Sequence, residues 1–160
     1  MMLFYLIASI LAASAAFAAR NERQIAAAGA AFYAVQAVFV LCIFAGGLYG
    51  TDSLGVFSFD AAGTLFHILL VVVSAFAFAH SEAYLHGSDL RQTRTYSALL
   101  MLLTTAISGA YFASNLAVTW IFLEATTLCS AGIIYHRRTA QTLEAAWKYV
   151  FVCSTGIAMA

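Results

Sequence analysis

The chain has 160 residues, of which 64% are hydrophobic and 9% charged, with no proline and a net charge of zero. Soluble domains run to roughly 45–50% apolar and about 25% charged residues, so this composition excludes an ordinary globular domain and predicts an integral membrane protein. The basic and acidic residues are balanced and dispersed, which leaves no basic surface to attract nucleic acid.

The first run, "MMLFYLIASILAASAAFAAR", ends in small residues like a signal-peptide cleavage site but lacks a positively charged start. It is long enough to span a bilayer, and further apolar segments follow, so a retained first transmembrane helix is expected. Cutting the sequence at its charges gives six apolar runs, near 1–19, 25–50, 61–85, 96–113, 116–135 and 143–160. Each approaches the roughly 20 helical residues that cross a ~30 Å hydrocarbon core. Long unbroken runs, rather than alternation, exclude a β-barrel. The expected fold is all-α, a polytopic bundle of about six transmembrane helices.

The charges between the runs set an orientation. Arg20 and Arg23 follow the first run, Arg91 and Arg94 the third, and Arg137, Arg138 and Lys148 the fifth. The "TDSLGVFSFD" loop after the second run carries only Asp52 and Asp60, and the "SN" turn after the fourth carries no charge. Basic residues accumulate on the cytoplasmic side, so the N-terminus is expected outside.

Several features fall within the runs. Gly46 and Gly50 make a GxxxG in the second, and the alanine and serine of the first would also allow close helix contact. His67 and His80 lie toward opposite ends of the third, about 20 Å apart and too far to share a ligand. Either could extend a proton path or serve a structural or interfacial role. His86 and His136 fall in predicted cytoplasmic loops, where a solvated imidazole needs no special account. The short Ser114-Asn115 turn makes the fourth and fifth helices antiparallel neighbours, with either side chain available to cap the fifth. Cys42, Cys129 and Cys153 sit alone in separate runs, the expected pattern of small buried hydrophobes. No metal, redox cofactor or disulfide is assigned to them. A phosphate loop and a nucleophile with an adjacent base are both missing from the sequence.

The fifth run, "TWIFLEATTLCS", contains one carboxylate, Glu124, roughly 12 Å down its helix and so near the bilayer midplane. An ionised side chain at that depth costs about 2.5–3.5 kcal/mol. Desolvation favours the neutral acid and a nearby cation favours the carboxylate, so a group held between these influences can take up and release a proton. The alternative is a protonated glutamic acid that joins helices by a hydrogen bond, worth only about 0.6 kcal/mol on average in membranes. Trp120 and Thr127, at i−4 and i+3, are expected to share an interior-facing stripe with Glu124.

Lys148 has two readings. It stands four residues after Glu144, the favourable order for a surface ion pair, and it also lies inside the sixth apolar run ahead of Tyr149-Val150-Phe151-Val152. That run provides only about 24 Å of helix from Ala145 to Ala160, with no polar exit. The chain is therefore expected to be the N-terminal piece of something longer. A gene-model break and a real split subunit would give the same ending.

From Tyr96 onward, the paired elements "SNLAVTWIFLEATTL" and "TLEAAWKYVFVCSTGIA" resemble the antiporter-like membrane subunits of respiratory complex I, and most of all the component F proteins of hydrogenase-4 and formate hydrogenlyase systems. The resemblance covers roughly residues 96–160 and is less specific among the members of that superfamily. It implies three leading helices in residues 1–95, followed by the start of a five-helix inverted repeat at 96–160. Glu124 matches the acidic member of a glutamate–lysine pair that controls proton movement, and Lys148 matches the lysine of the "KY" that opens the sixth helix in the same polar set. The implied function is proton translocation by a membrane subunit of an NADH:quinone oxidoreductase or membrane hydrogenase in the cell's inner (plasma) membrane. A conformational or electrostatic change would alter the field at Glu124, which would exchange its proton with a partner lysine. The redox centres would lie elsewhere, and the implied partners are other membrane and peripheral subunits. Two alternatives remain: a subunit of a multi-subunit sodium/proton antiporter, and a structural fragment. The sequence departs from the family by stopping within the sixth helix, before the discontinuous seventh helix that carries the pumping lysine. The elements that complete a translocation path are thus absent from it.

Overall fold

A computed structural model describes residues 1–46, 50–51, 55–85 and 89–159. It contains six α-helices: α1 (Met2–Ala18), α2 (Glu22–Gly46), α3 (Ala61–Tyr84), α4 (Leu90–Phe112), α5 (Leu116–Ile134) and α6 (Ala140–Met159). Each coincides with one apolar run, as an all-α bundle requires. Four of them, α2 to α5, are long and apolar enough to cross a membrane, while α1 is a shorter apolar helix. Asp52 and His86 lie outside the described residues.

Local polar groups set the helix ends. At the start of α2, the Gln24 side chain accepts from the Arg20 N–H at 2.7 Å. Asp60 caps α3 by accepting from Gly63 N at 2.9 Å. Asn115 Oδ1 caps α5 by accepting from Ala117 N at 2.9 Å. Ser114, the other expected cap, instead donates its hydroxyl to the Gly55 carbonyl at 2.7 Å and so pins the preceding loop. The last turn of α5 tightens into a 3₁₀ segment at Tyr135–Arg137, closed by Arg138 in the left-handed region at φ 52°. Thr139 and Thr142 then cap α6 reciprocally, each hydroxyl accepting from the other's backbone N–H. These caps satisfy donors that lipid cannot.

The Gly46/Gly50 pair is not a helical GxxxG. Helix α2 ends at Gly46, and Gly50, at φ 133°, opens a short strand. That strand, β1 (Gly50–Thr51), pairs antiparallel with β2 (Ser58–Phe59) across the loop between α2 and α3. A positive φ of this kind suits glycine and takes the residue out of any helix face.

Helix α4 is the centre of the bundle, in contact with α1, α2, α3 and α5, whereas α6 packs on α5. One apolar cluster joins Ala13, Ala16, Ala28, Phe32, Phe78, Ala98 and Met101 across α1 to α4. A second joins Met2, Tyr5, Phe39, Ile43 and Phe112 to Phe57 and Phe59 of the loop. The small residues of α1 do bring helices close, as their composition predicts. Buried hydroxyls in α4 are satisfied by the helix itself: Thr104, Thr105 and Ser108 each donate to the carbonyl four residues back, at 2.8–2.9 Å. The arginines gather at one end, where the Arg94 guanidinium lies 5.7 Å from the Phe17 ring centroid and Arg137 Nη2 donates to Tyr84 OH at 2.7 Å.

The cysteines differ from expectation. Cys42 is exposed, and Cys129 and Cys153 are half-buried, all three free. An apolar run shows where a helix lies, but not which of its faces meets its neighbours.

Candidate functional site

Glu124 lies on α5 beside α6. The carboxylate is half-buried, and its Oε1 accepts a hydrogen bond from Ser154 Oγ of α6 at 2.8 Å. Its other oxygen, Oε2, is buried and has no hydrogen-bond partner. An ionised carboxylate has room for about four accepted bonds, so one hydroxyl leaves most of its capacity unused. Leaving a buried polar atom unmade costs about 1–3 kcal/mol, more when the group is charged. The site is therefore chemically incomplete: Oε2 can accept from a cation or water, or take a proton and donate it onward.

The neighbours of Glu124 divide between two sides. Thr127 is buried, and its hydroxyl donates to the Leu123 carbonyl at 3.2 Å, not to Glu124. Trp120 is exposed together with Leu128, so the expected interior stripe of Trp120, Glu124 and Thr127 does not form as one face. The reason is geometric: positions four back and three on lie on either side of the central residue, and α6 covers only one of those sides. Only Thr127 and Ala131 of α5 are buried, so much of this helix presents its surface outward.

Lys148 sits on the outer face of α6. Its Nζ pairs with Glu144 Oε1 at 2.6 Å, and both side chains are largely exposed. It therefore makes the i, i+4 pair that its spacing allows. Trp147, Phe151 and Val152 surround it with exposed apolar surface. Glu124 and Lys148 are not in contact, and the hydrogen bond to the carboxylate comes from Ser154.

Ser154 was missed by sequence reasoning. A signal was present: Ser154 and Thr155 are consecutive hydroxyl residues within the sixth apolar run. Thr155 is satisfied locally by the Phe151 carbonyl at 2.7 Å, and only Ser154 turns toward α5. Helical phase, not residue type, distinguishes the two.

The histidines also separate. His80 is exposed and His67 is fully buried. His136 is not simply solvated: it packs between Tyr84 and Tyr96, and its Nδ1 lies 2.8 Å from the Ile133 carbonyl.

No family model matches the chain, and no solved structure matches it. Among curated proteins it is similar to a hydrogenase-4 component F homolog of Methylacidiphilum infernorum (isolate V4), at 31% identity over 67 residues. The aligned stretch is 42% of this chain and 14% of that protein, so the chain matches a small part of a much longer relative.

Proposed function

We propose that the chain forms part of a proton-translocating membrane subunit of a hydrogenase-type or complex I-like respiratory assembly, with Glu124 as a group that takes up and releases the proton. The observation that carries this reading is the half-buried carboxylate in the middle of α5, with one oxygen held by Ser154 and the other unpartnered. Intramembrane carboxylates are costly and characteristically belong to proton or ion pathways. The similarity to a hydrogenase-4 component F homolog supports the same kind of subunit.

Within this reading α1–α3 are leading helices, and α4–α6 begin the antiporter-like repeat. The arginine-bearing end faces the cytoplasm, following the positive-inside bias, and the β1–β2 loop faces outward. In a bacterium the membrane concerned is the inner one. Other subunits carry electrons, and the chain's contribution is a field-sensitive acid. Charge arriving near Oε2 favours the carboxylate, and its departure favours the acid. Lys148, reoriented away from Glu144 in the assembly, is the proposed cationic member of the polar set.

The test is Glu124→Gln in the assembled complex, with proton movement and electron transfer measured together. The account expects coupled proton movement to fall by at least about tenfold, as for loss of a positioned acid–base group. Wild-type proton movement in that variant would remove Glu124 from the mechanism.

A further inference from the structure

Helices α1 to α4 enclose a second polar group that Glu124 does not touch. Tyr5 of α1 donates its hydroxyl to Gln36 Oε1 of α2 at 2.8 Å. The Ser9 and Ser108 side chains lie beside the same phenol. His67 of α3 packs edge-on against the Tyr5 ring, with centroids 5.9 Å apart, and against Phe39 and Phe112 at 5.4 and 5.5 Å. Ser9, Gln36, His67 and Ser108 are all 0% exposed. Phe59 packs on both Phe39 and Phe112 and caps the group from the β1–β2 side.

Much of this group's hydrogen-bonding capacity is unused. Gln36 Nε2, Ser9 Oγ and both ring nitrogens of His67 have no partner. Ser9 lies near the Tyr5 oxygen without making a bond to it and does not use a carbonyl of its own helix, as Ser108 does. Each such orphan costs about 1–3 kcal/mol. Ordering one water costs at most about 2 kcal/mol, and a water with two to four polar partners is a normal part of a protein interior.

We propose that Ser9, Gln36 and His67, grouped about Tyr5, hold internal water between α1, α2 and α3. Water fits these groups and a metal cation does not. Gln36 already commits its carbonyl oxygen to Tyr5 and presents its NH2 edge, which donates and would repel a cation. A neutral imidazole offers one donor and one acceptor, and a serine hydroxyl offers both, so bridging water satisfies all three side chains together. Tyr5 is the titratable group that meets His67 from α1, while Phe39 and Phe112 meet it from α2 and α4. Water at the ring gives His67 a partner for proton exchange, so the leading helices contain a proton-exchanging centre of their own. This inference does not depend on the role of Glu124.

The test uses the chain in lipid nanodiscs with 15N-labelled histidine, and NMR transfer of magnetisation from water to the imidazole. His80→Gln, His86→Gln and His136→Gln together leave His67 as the single ring observed. The expected result is a water cross-peak to the His67 ring nitrogens that is lost in Gln36→Leu. Ser9→Ala removes one hydroxyl and gives the same loss where Gln36→Leu fails to insert. A His67 ring with no water cross-peak overturns the proposal, as does a cross-peak that persists unchanged in the variants. The cross-peak is expected to be unchanged by Glu124→Gln.

Discussion

Ser154 of α6 donates a hydrogen bond to Oε1 of Glu124 on α5 across 2.8 Å, and this bond joins the two helices at the carboxylate. It fixes one oxygen of the acid and leaves the other open. Hydrogen bonds between membrane helices contribute about 0.6 kcal/mol on average, so the bond orients the acid more than it stabilises the bundle. A double-mutant cycle of Ser154→Ala and Glu124→Gln, measured by unfolding in detergent, is expected to give a coupling of about 0.6 kcal/mol. A coupling near zero would mean that the two side chains do not meet in the folded chain.

Lys148 separates a surface role from a role in proton movement. Its bond to Glu144 is exposed and worth about 0.2–0.5 kcal/mol, so Lys148→Ala is expected to change stability by no more than that. In the assembled complex, Lys148→Ala is expected to lower coupled proton movement by about tenfold, and Glu144→Gln to leave it close to wild type. Equal effects of the two substitutions on proton movement would assign Lys148 to the ion pair alone.

The contact between α4 and α5 depends on Gly109. The ring of Phe122 fills the space that a Cβ at position 109 would occupy. Gly109→Ala is therefore expected to destabilise the chain by about 1–3 kcal/mol through overpacking, and Phe122→Leu to recover part of that loss. Thermal unfolding of the single and double variants checks both effects.

Asn115 is a cap with one assignable bond, to Ala117 N. Asn115→Ala is expected to cost about 0.5–2 kcal/mol, while Asn115→Asp, which keeps the accepting oxygen, stays within a few tenths of wild type. Chemical denaturation resolves the difference.

The runs between charges gave all six helices, because in a membrane protein the spacing of polar residues follows the thickness of the bilayer. The Ser114-Asn115 turn likewise pointed to a cap, although the loop captured Ser114 and only Asn115 performs it. Facing was much less legible. A uniformly apolar helix contains no amphipathic stripe from which to read its inward side, so Cys42 and Trp120 lie outward against expectation. Ser154 went unseen for the same reason. The Gly46/Gly50 spacing misled because the chain leaves the helix at Gly46, before the second glycine is reached. Glu124 was legible from polarity alone, since a lone carboxylate in an apolar run stands out whichever face it occupies. Its separation from Lys148 was not legible, because both fit the same polar set by sequence while the structure pairs the lysine with Glu144.

The central claim is that Glu124 changes its protonation state during turnover. Infrared difference spectroscopy on the assembled complex measures this directly, through the carbonyl stretch of a protonated carboxylic acid. The account predicts a band that appears and disappears with electron transfer and is lost in Glu124→Gln. A carboxyl signal at Glu124 that stays constant throughout turnover would contradict it.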